Sequence, residues 1–347
     1  MFLGEISNFP SFSPFRVTKK PSLPKNFDLI ARSFDENFLR RIQSLASDSN
    51  PPSFSLLWLS LAVDFLSSTH AEAQTLISDL KLSSLDDSLA RYLDESVKLL
   101  DVCNSISAEI ERLRQRRLLI NFILHLFKIP GDSARIPAPD RLRRARESLV
   151  DSENSPRGFQ MSMEVLVRDL EANLRDMPRG KISSVRKLVR RTICAVELVT
   201  VFVSGIVASA LFGLPELVEV RVPAEFLWAD SLNNLESAIR SELDSNRAPK
   251  GPVLREIADV DLCVRRLGDA IDEVAGGDDG KREELSNAVK ELEVATEAFS
   301  VGLDGLYNGV NGTFQTVLCS RNGVMGKLVK HEKVETKREV KYKTSIF

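Results

Sequence analysis

The sequence predicts an all-α protein, an elongated multi-helix bundle with a long central helix and one very apolar helix. Three observations predict it. Apolar residues recur every three or four positions through almost every segment, and only the short LVEVRVP stretch from Leu217 alternates as a strand would. Clusters of Pro, Gly, Ser and Asp punctuate that pattern at intervals suited to helix–helix turns. Leu198 to Leu214, LVTVFVSGIVASALFGL, carries no charge and must be buried somewhere.

The first 24 residues (1–24) contain Pro10, Pro14 and an early Glu5, which break any secretory apolar core. Arg16, Lys19 and Lys20 with Ser and Phe give a weak likeness to an organelle transit peptide, and a disordered cytosolic tail is the expectation. Asn26 or Asp28 caps a first helix to about Leu45, with Phe27, Ile30, Phe34, Phe38 and Ile42 on one face. Asp48 to Pro52 is a turn, and Ser53 or Ser55 opens a second helix lined by Leu56, Leu59, Val63, Leu66, His70, Ala73 and Ile77. His70 has no ligand partner at helical spacing and is expected in the core. Asp86 or Asp87 starts the long helix, which runs to about Lys128 on Leu99, Cys103, Ile106, Ile110, Leu113, Ile120, Leu124 and Phe127. At 1.5 Å per residue it reaches roughly 60 Å. Its Arg112, Arg114, Arg116 and Arg117 interleave with Glu109 and Glu111, which predicts a salt-bridged, solvated face.

Pro130 to Pro139 ends that helix, and the stretch through DSENSP at 151–156 reads as a flexible linker, 130–157, with little packing. A second helical part, 158–322, follows the first, 25–129. Met161 to Met177 carries Leu166, Leu170 and Leu174 on one face. From Lys181 a basic segment with Val185, Leu188 and Val189 runs directly into the apolar stretch. Pro223 fits the first turn of the next helix, with Phe226, Leu227, Leu232, Leu235 and Ile239. Val253 to Val274, Lys281 to Phe299, and a last helix through Leu318 complete the set. Gly302, Gly305, Gly309 and Gly312 weaken the last helix on propensity grounds, and 323–347 reads as a basic disordered tail.

The apolar run sits at the short limit for a membrane span, which needs about 17–25 residues. Arg190 and Arg191 precede it and Glu216 and Glu219 follow, which fits a single pass with the N-terminal side cytosolic. The same run fits the middle helix of a soluble bundle, so membrane association through 198–214 and burial in a core stay open alternatives.

The chemistry-bearing motifs are missing from the sequence. There is no GxGxxG, P-loop, HExxH or GxSxG. His70, His125 and His331 are far apart, and Cys103, Cys194, Cys263 and Cys319 form no knuckle and read as buried thiols in a reducing compartment. Asp86-Asp87 and Asp278-Asp279 fit turns and helix starts, Asn311-Gly312-Thr313 is a chance glycosylation match, and Trp58 and Trp228 read as core anchors. A net charge of −2 leaves no general basic field for nucleic acid. No catalytic, cofactor-binding or metal-ligating residue is assigned, and no small-molecule ligand follows.

Several stretches carry a likeness. They are Asn26-Phe27, Phe34-Asp35-Glu36, Leu59 to Val63, Thr69-His70, Leu76 to Leu80, the block Tyr92 to Asn104, Leu306-Tyr307 and Val317 to Asn322. On these the chain resembles the plant BYPASS-like proteins, related to ROH-type partners of the exocyst. The resemblance implies a helical, non-enzymatic protein of plant root and shoot development, linked to restraining a root-derived mobile signal that arrests shoot growth. It implies action through protein partners, with exocyst-type membrane trafficking as the alternative and processing of a small apolar metabolite as a weaker one. Endomembrane, cytoplasmic and chloroplast locations are all compatible with it.

Overall fold

The computed structural model describes residues 25–47, 54–80, 87–128, 137–153, 160–174, 177–180, 182, 184–214, 219–246, 253–275 and 281–344. The expected N-terminal tail, the Asp48 turn, most of the loop 130–139 and the GGDDG turn lie outside them. The described residues hold nine helices: α1 Lys25–Ser47, α2 Leu56–Asp79, α3 Asp87–Phe127, α4 Pro139–Glu153, α5 Gln160–Ala172, α6 Val185–Phe212, α7 Ala229–Asn246, α8 Arg255–Ala275 and α9 Arg282–Thr344. The fold is an all-α bundle.

α9, 63 residues long, is the spine, and α2, α3 and α8 pack along it. α2 runs parallel to it. The Ser60 hydroxyl donates to the Gly305 carbonyl (3.1 Å), Thr313 to Val63 (3.3 Å) and Ser320 to the Gln74 side chain (2.8 Å). α3 runs antiparallel, tied by Lys128–Glu293 (3.3 Å), Arg114–Asp304 (2.8 Å) and Arg321 donating to the Leu93 carbonyl. The glycines that weaken α9 on propensity grounds have a positive use here. A Cβ on Gly302 would stand 2.8 Å from that of Leu56, so α2 approaches this closely only because no side chain intervenes.

α6 lies against α2, α3 and α5. Ser184 caps its start by accepting from the Lys187 amide (3.2 Å). Gly213, with φ 71°, ends it in the left-handed conformation, and the Leu214 amide reaches back to the Ala208 carbonyl (3.4 Å). Its most apolar 18-residue window is long enough to cross a membrane and is wholly buried inside the protein. α8 docks on the start of α2, where the Glu256 carboxylate accepts from the Leu56 amide (3.1 Å) at the positive end of the helix dipole.

The structure corrects the sequence reading at several points. The two expected last helices are one, α9, and its backbone stays helical through Thr344 over most of the stretch read as a disordered tail. Lys, Arg and Glu, all good helix formers, dominate that stretch and no proline interrupts it. α3 has the length expected, 41 residues, and α9 with 63 is longer still. Residues 139–153 are not loosely held: Leu142, Ala145 and Leu149 are buried on α3 and α8, and Arg146 pairs with Asp272 (3.0 Å). The residues on either side of that segment share one continuous core. α5 stops at Ala172, short of Met177. α7 starts at Ala229 rather than near Pro223, because the Asn233 side chain grips both the amide and the carbonyl of Val222 (3.2 Å each) and holds that segment extended.

Candidate functional site

The helices bring buried polar side chains together in one seam through the middle of the bundle. His70 on α2 is enclosed between α3 and α6. Its Nδ1 lies 3.4 Å from the Tyr92 hydroxyl and its Nε2 lies 3.2 Å from the Thr200 hydroxyl. Thr200 already donates its hydrogen to the Val196 carbonyl (2.8 Å). The imidazole therefore donates Nε2–H to Thr200 and accepts from Tyr92 at Nδ1. Burial lowers the His70 pKa to about 4 and raises that of Tyr92 to about 12, with the Ser320 hydroxyl beside Tyr92 acting the other way.

Next to it, Arg91 on α3 donates to Glu197 on α6 (3.1 Å), to Glu95 (3.4 Å) and to the Asn173 carbonyl after α5 (2.8 Å). Burial raises the Glu95 pKa against the pull of Arg91. At the opposite flank of α6, Asp35 accepts from Arg191 (2.7 Å) and from the Trp228 indole (3.2 Å). Burial raises the Asp35 pKa and Arg191 opposes it. Phe38 meets Trp228 edge-on at 4.6 Å.

These groups hold helices in register and perform no reaction that their geometry identifies. Of the described clefts, one touches the Asp35–Arg191 pair and none reaches the His70 seam. One of about 330 Å³ is lined by Arg32, Asp35, Arg191 and Glu225, and one of about 460 Å³ by Arg179, Leu198, Glu219 and Arg221. Among the described residues no cluster of three or more His, Cys, Asp or Glu could hold a metal.

His70 nonetheless makes a pH prediction. Its folded pKa lies below the usual 6.5, so the native state resists a proton that the unfolded chain accepts. The stability is complete above about pH 6.5 and falls as the pH drops toward 4, by about 3 kcal/mol in all. Urea-unfolding midpoints measured across that range should fall for the wild type and flatten in His70→Gln. Parallel slopes would contradict the assignment.

The residues singled out from sequence fall as follows. Trp58 and Trp228 are core residues, with the Trp58 indole donating to the Leu45 carbonyl (3.3 Å). Cys103 and Cys194 are buried, but Cys263 on α8 packs only at the edge of the core and is half-buried, and Cys319 on α9 is exposed. The arginines of α3 are salt-bridged as expected, but half-buried between helices rather than on an open face. Arg116 pairs with Asp261 on α8, Arg114 with Asp304 on α9, and Arg117 bonds Ser300, so the patch clamps three helices. Arg112 pairs with Glu109 (2.6 Å).

One surface does stand out. On α3, Leu118 and Phe122 are 62% and 47% exposed; on α9, Val294 and Val301 are 72% and 65% exposed. The ion pairs Arg114–Asp304 and Lys128–Glu293 bracket all four at one level of the antiparallel pair. Counting about 100° per residue from the side chains that join the two helices puts all four on the same side. The result is an apolar shallow groove with charged pairs at both ends.

Residues 14–154 and 160–328 match the family described as Protein ROH1-like. UPF0496 protein 4 of Oryza sativa subsp. japonica is 32% identical over 313 residues, 86% of this chain and 66% of its own length. Its counterpart in the indica subspecies is 33% identical over 75% of this chain and 59% of its own length. The chain thus spans about three fifths to two thirds of these rice relatives. Protein BPS1, chloroplastic, of Arabidopsis thaliana is 28% identical over 92% of this chain and 90% of its own length. No solved structure matches.

Proposed function

The chain belongs to the ROH1-like family, and on that premise we propose that it is a non-enzymatic helical protein of plant development that works by binding a partner protein. The observation that carries this reading is the groove of Leu118, Phe122, Val294 and Val301. Exposed large apolar residues rimmed by ion pairs make the surface that an amphipathic helix covers with its own apolar face. The process served is the one the BYPASS-like resemblance implies, restraint of a root-derived signal that arrests shoot growth. An exocyst-type trafficking role would use the same groove with a different occupant.

α6 belongs to the core in this reading and does not cross a bilayer. Its polar side chains Glu197 and Thr200 have matched partners on α3 and α2, a correspondence that a lipid-facing helix has no use for. Residence is then cytoplasmic. The chloroplast address in the name of the Arabidopsis relative would appear here as organelle import of a fluorescent fusion.

The groove is tested with Leu118→Glu combined with Val301→Glu. Both sites are surface positions, so thermal stability should shift by no more than about 0.5 kcal/mol. Full-length wild type and variant serve as bait in plant extract, with candidate partners then purified and titrated. A helix-presenting protein whose affinity falls at least about tenfold with the variant supports the proposal. Unchanged affinity of every purified partner rejects it, and wild-type dimerisation that the variant abolishes makes the occupant a second copy instead.

A further inference from the structure

The charges around the groove between α3 and α9 are not equally engaged. At one end Lys128 holds Glu293 (3.3 Å), and at the other Arg114 and Arg117 both face Asp304 (2.8 and 3.8 Å). On the α9 wall between and beside them, Glu297 and Lys290 are exposed and have no ion pair or hydrogen bond among the described residues. These free charges alternate with the groove's valines. Lys290, Val294, Glu297 and Val301 follow one another at spacings of four, three and four residues. At 100° per residue they fall within one arc of about 60°.

The helix register fixes where Glu297 stands. Arg117 bonds Ser300 and Lys128 meets Glu293, so Glu297 is level with Phe122 on the antiparallel α3, in the middle of the apolar stretch. Lys290 lies two turns away, past the Lys128 end, roughly 10 Å along the axis. A helix with an unbroken apolar stripe would cover Glu297 and strip water from its carboxylate with nothing to replace it. A stripe with an acid at that point would add repulsion. A basic side chain turns the same burial into a pair.

Resting on the reading of the groove as a helix-docking surface, we propose that it selects an amphipathic helix with a Lys or Arg at the centre of its apolar stripe, seated on Glu297, and an Asp or Glu about two turns away, seated on Lys290. The aliphatic stem of the central residue lies on Phe122 and Val301 while its head reaches the carboxylate.

The test uses full-length protein and fluorescein-labelled synthetic helices of about 20 residues, followed by anisotropy at about 0.15 M salt. The peptides share one leucine stripe with a Glu about two turns from its centre, and carry Lys, Gln or Glu at the centre itself. Wild type should bind the Lys peptide about tenfold tighter than the Gln peptide, and the Glu peptide more weakly still. Glu297→Gln should erase that order and Glu297→Lys should invert it. Both variants should keep the wild-type melting temperature, because Glu297 has no partner to lose. Lys290→Gln should weaken the Lys peptide a few fold. Equal binding of all the peptides to wild type, lost in Leu118→Glu/Val301→Glu, would leave the groove standing and overturn the charge match. A Lys preference that survives Glu297→Gln would seat the cation elsewhere and overturn it as well. Failure of every peptide to bind would overturn the docking surface along with it.

Discussion

Val207→Arg is expected to leave no folded protein. Val207 is fully buried in the C-terminal third of α6, among Phe202, Val203, Ile206 and Ala210, all buried with it. An arginine there has neither an acid within the seam nor a path to water, since Glu197 lies almost three helical turns away and is engaged by Arg91. The loss should exceed about 5 kcal/mol, comparable to the entire stability of many domains. Soluble yield, circular dichroism and gel filtration measure it. The outcome also decides where α6 resides. A soluble, cooperatively melting Val207→Arg protein would mean that α6 is held outside the core and serves as an anchor, contrary to the structure.

Arg91→Ala should be the next most damaging change, at about 3–5 kcal/mol. It removes the cation that both Glu95 and Glu197 face and the donor to the Asn173 carbonyl, so two neighbouring buried acids lose their shared cation. The urea midpoint should fall accordingly. Arg91→Met/Glu197→Gln, which withdraws both charges of the closest pair, should recover a substantial part of that loss. A double variant as unstable as the sum of its single changes would show that the pair is not coupled.

Local periodicity explains why so much of the fold could be read in advance. Ile30, Phe34, Phe38 and Ile42 state the buried face of α1 through spacing alone, and Pro, Gly and Ser mark most helix ends. The apolar run of α6 announced its own burial. Long-range pairing is what the sequence conceals. Gly302 and Gly305 look like flaws in a helix until Leu56 and Ser60 are set beside them. Arg114 and Arg116 look solvated until Asp304 and Asp261 arrive from α9 and α8, 190 and 145 residues away. Leu142 and Leu149 seemed too few among arginines to pack, yet α3 and α8 offered them a face. The seam was half visible. His70 was assigned to the core, but Tyr92, Arg91, Glu197 and Thr200 gave no signal beyond a polar residue at an apolar helical phase. The groove was not legible, because pairing its α3 and α9 halves depends on a register that only tertiary structure supplies.

The parallel pairing of α2 with α9 joins residues about 245–250 positions apart. Ribosomes add about 5–20 residues per second, so α2 waits on the order of 10–50 s for its spine to be made. Throughout that interval the side of α2 that carries Leu56 and Val63 lacks its α9 neighbour, although α1 and later α6 cover other faces, and the nascent chain needs chaperones or provisional contacts to keep that side from aggregating.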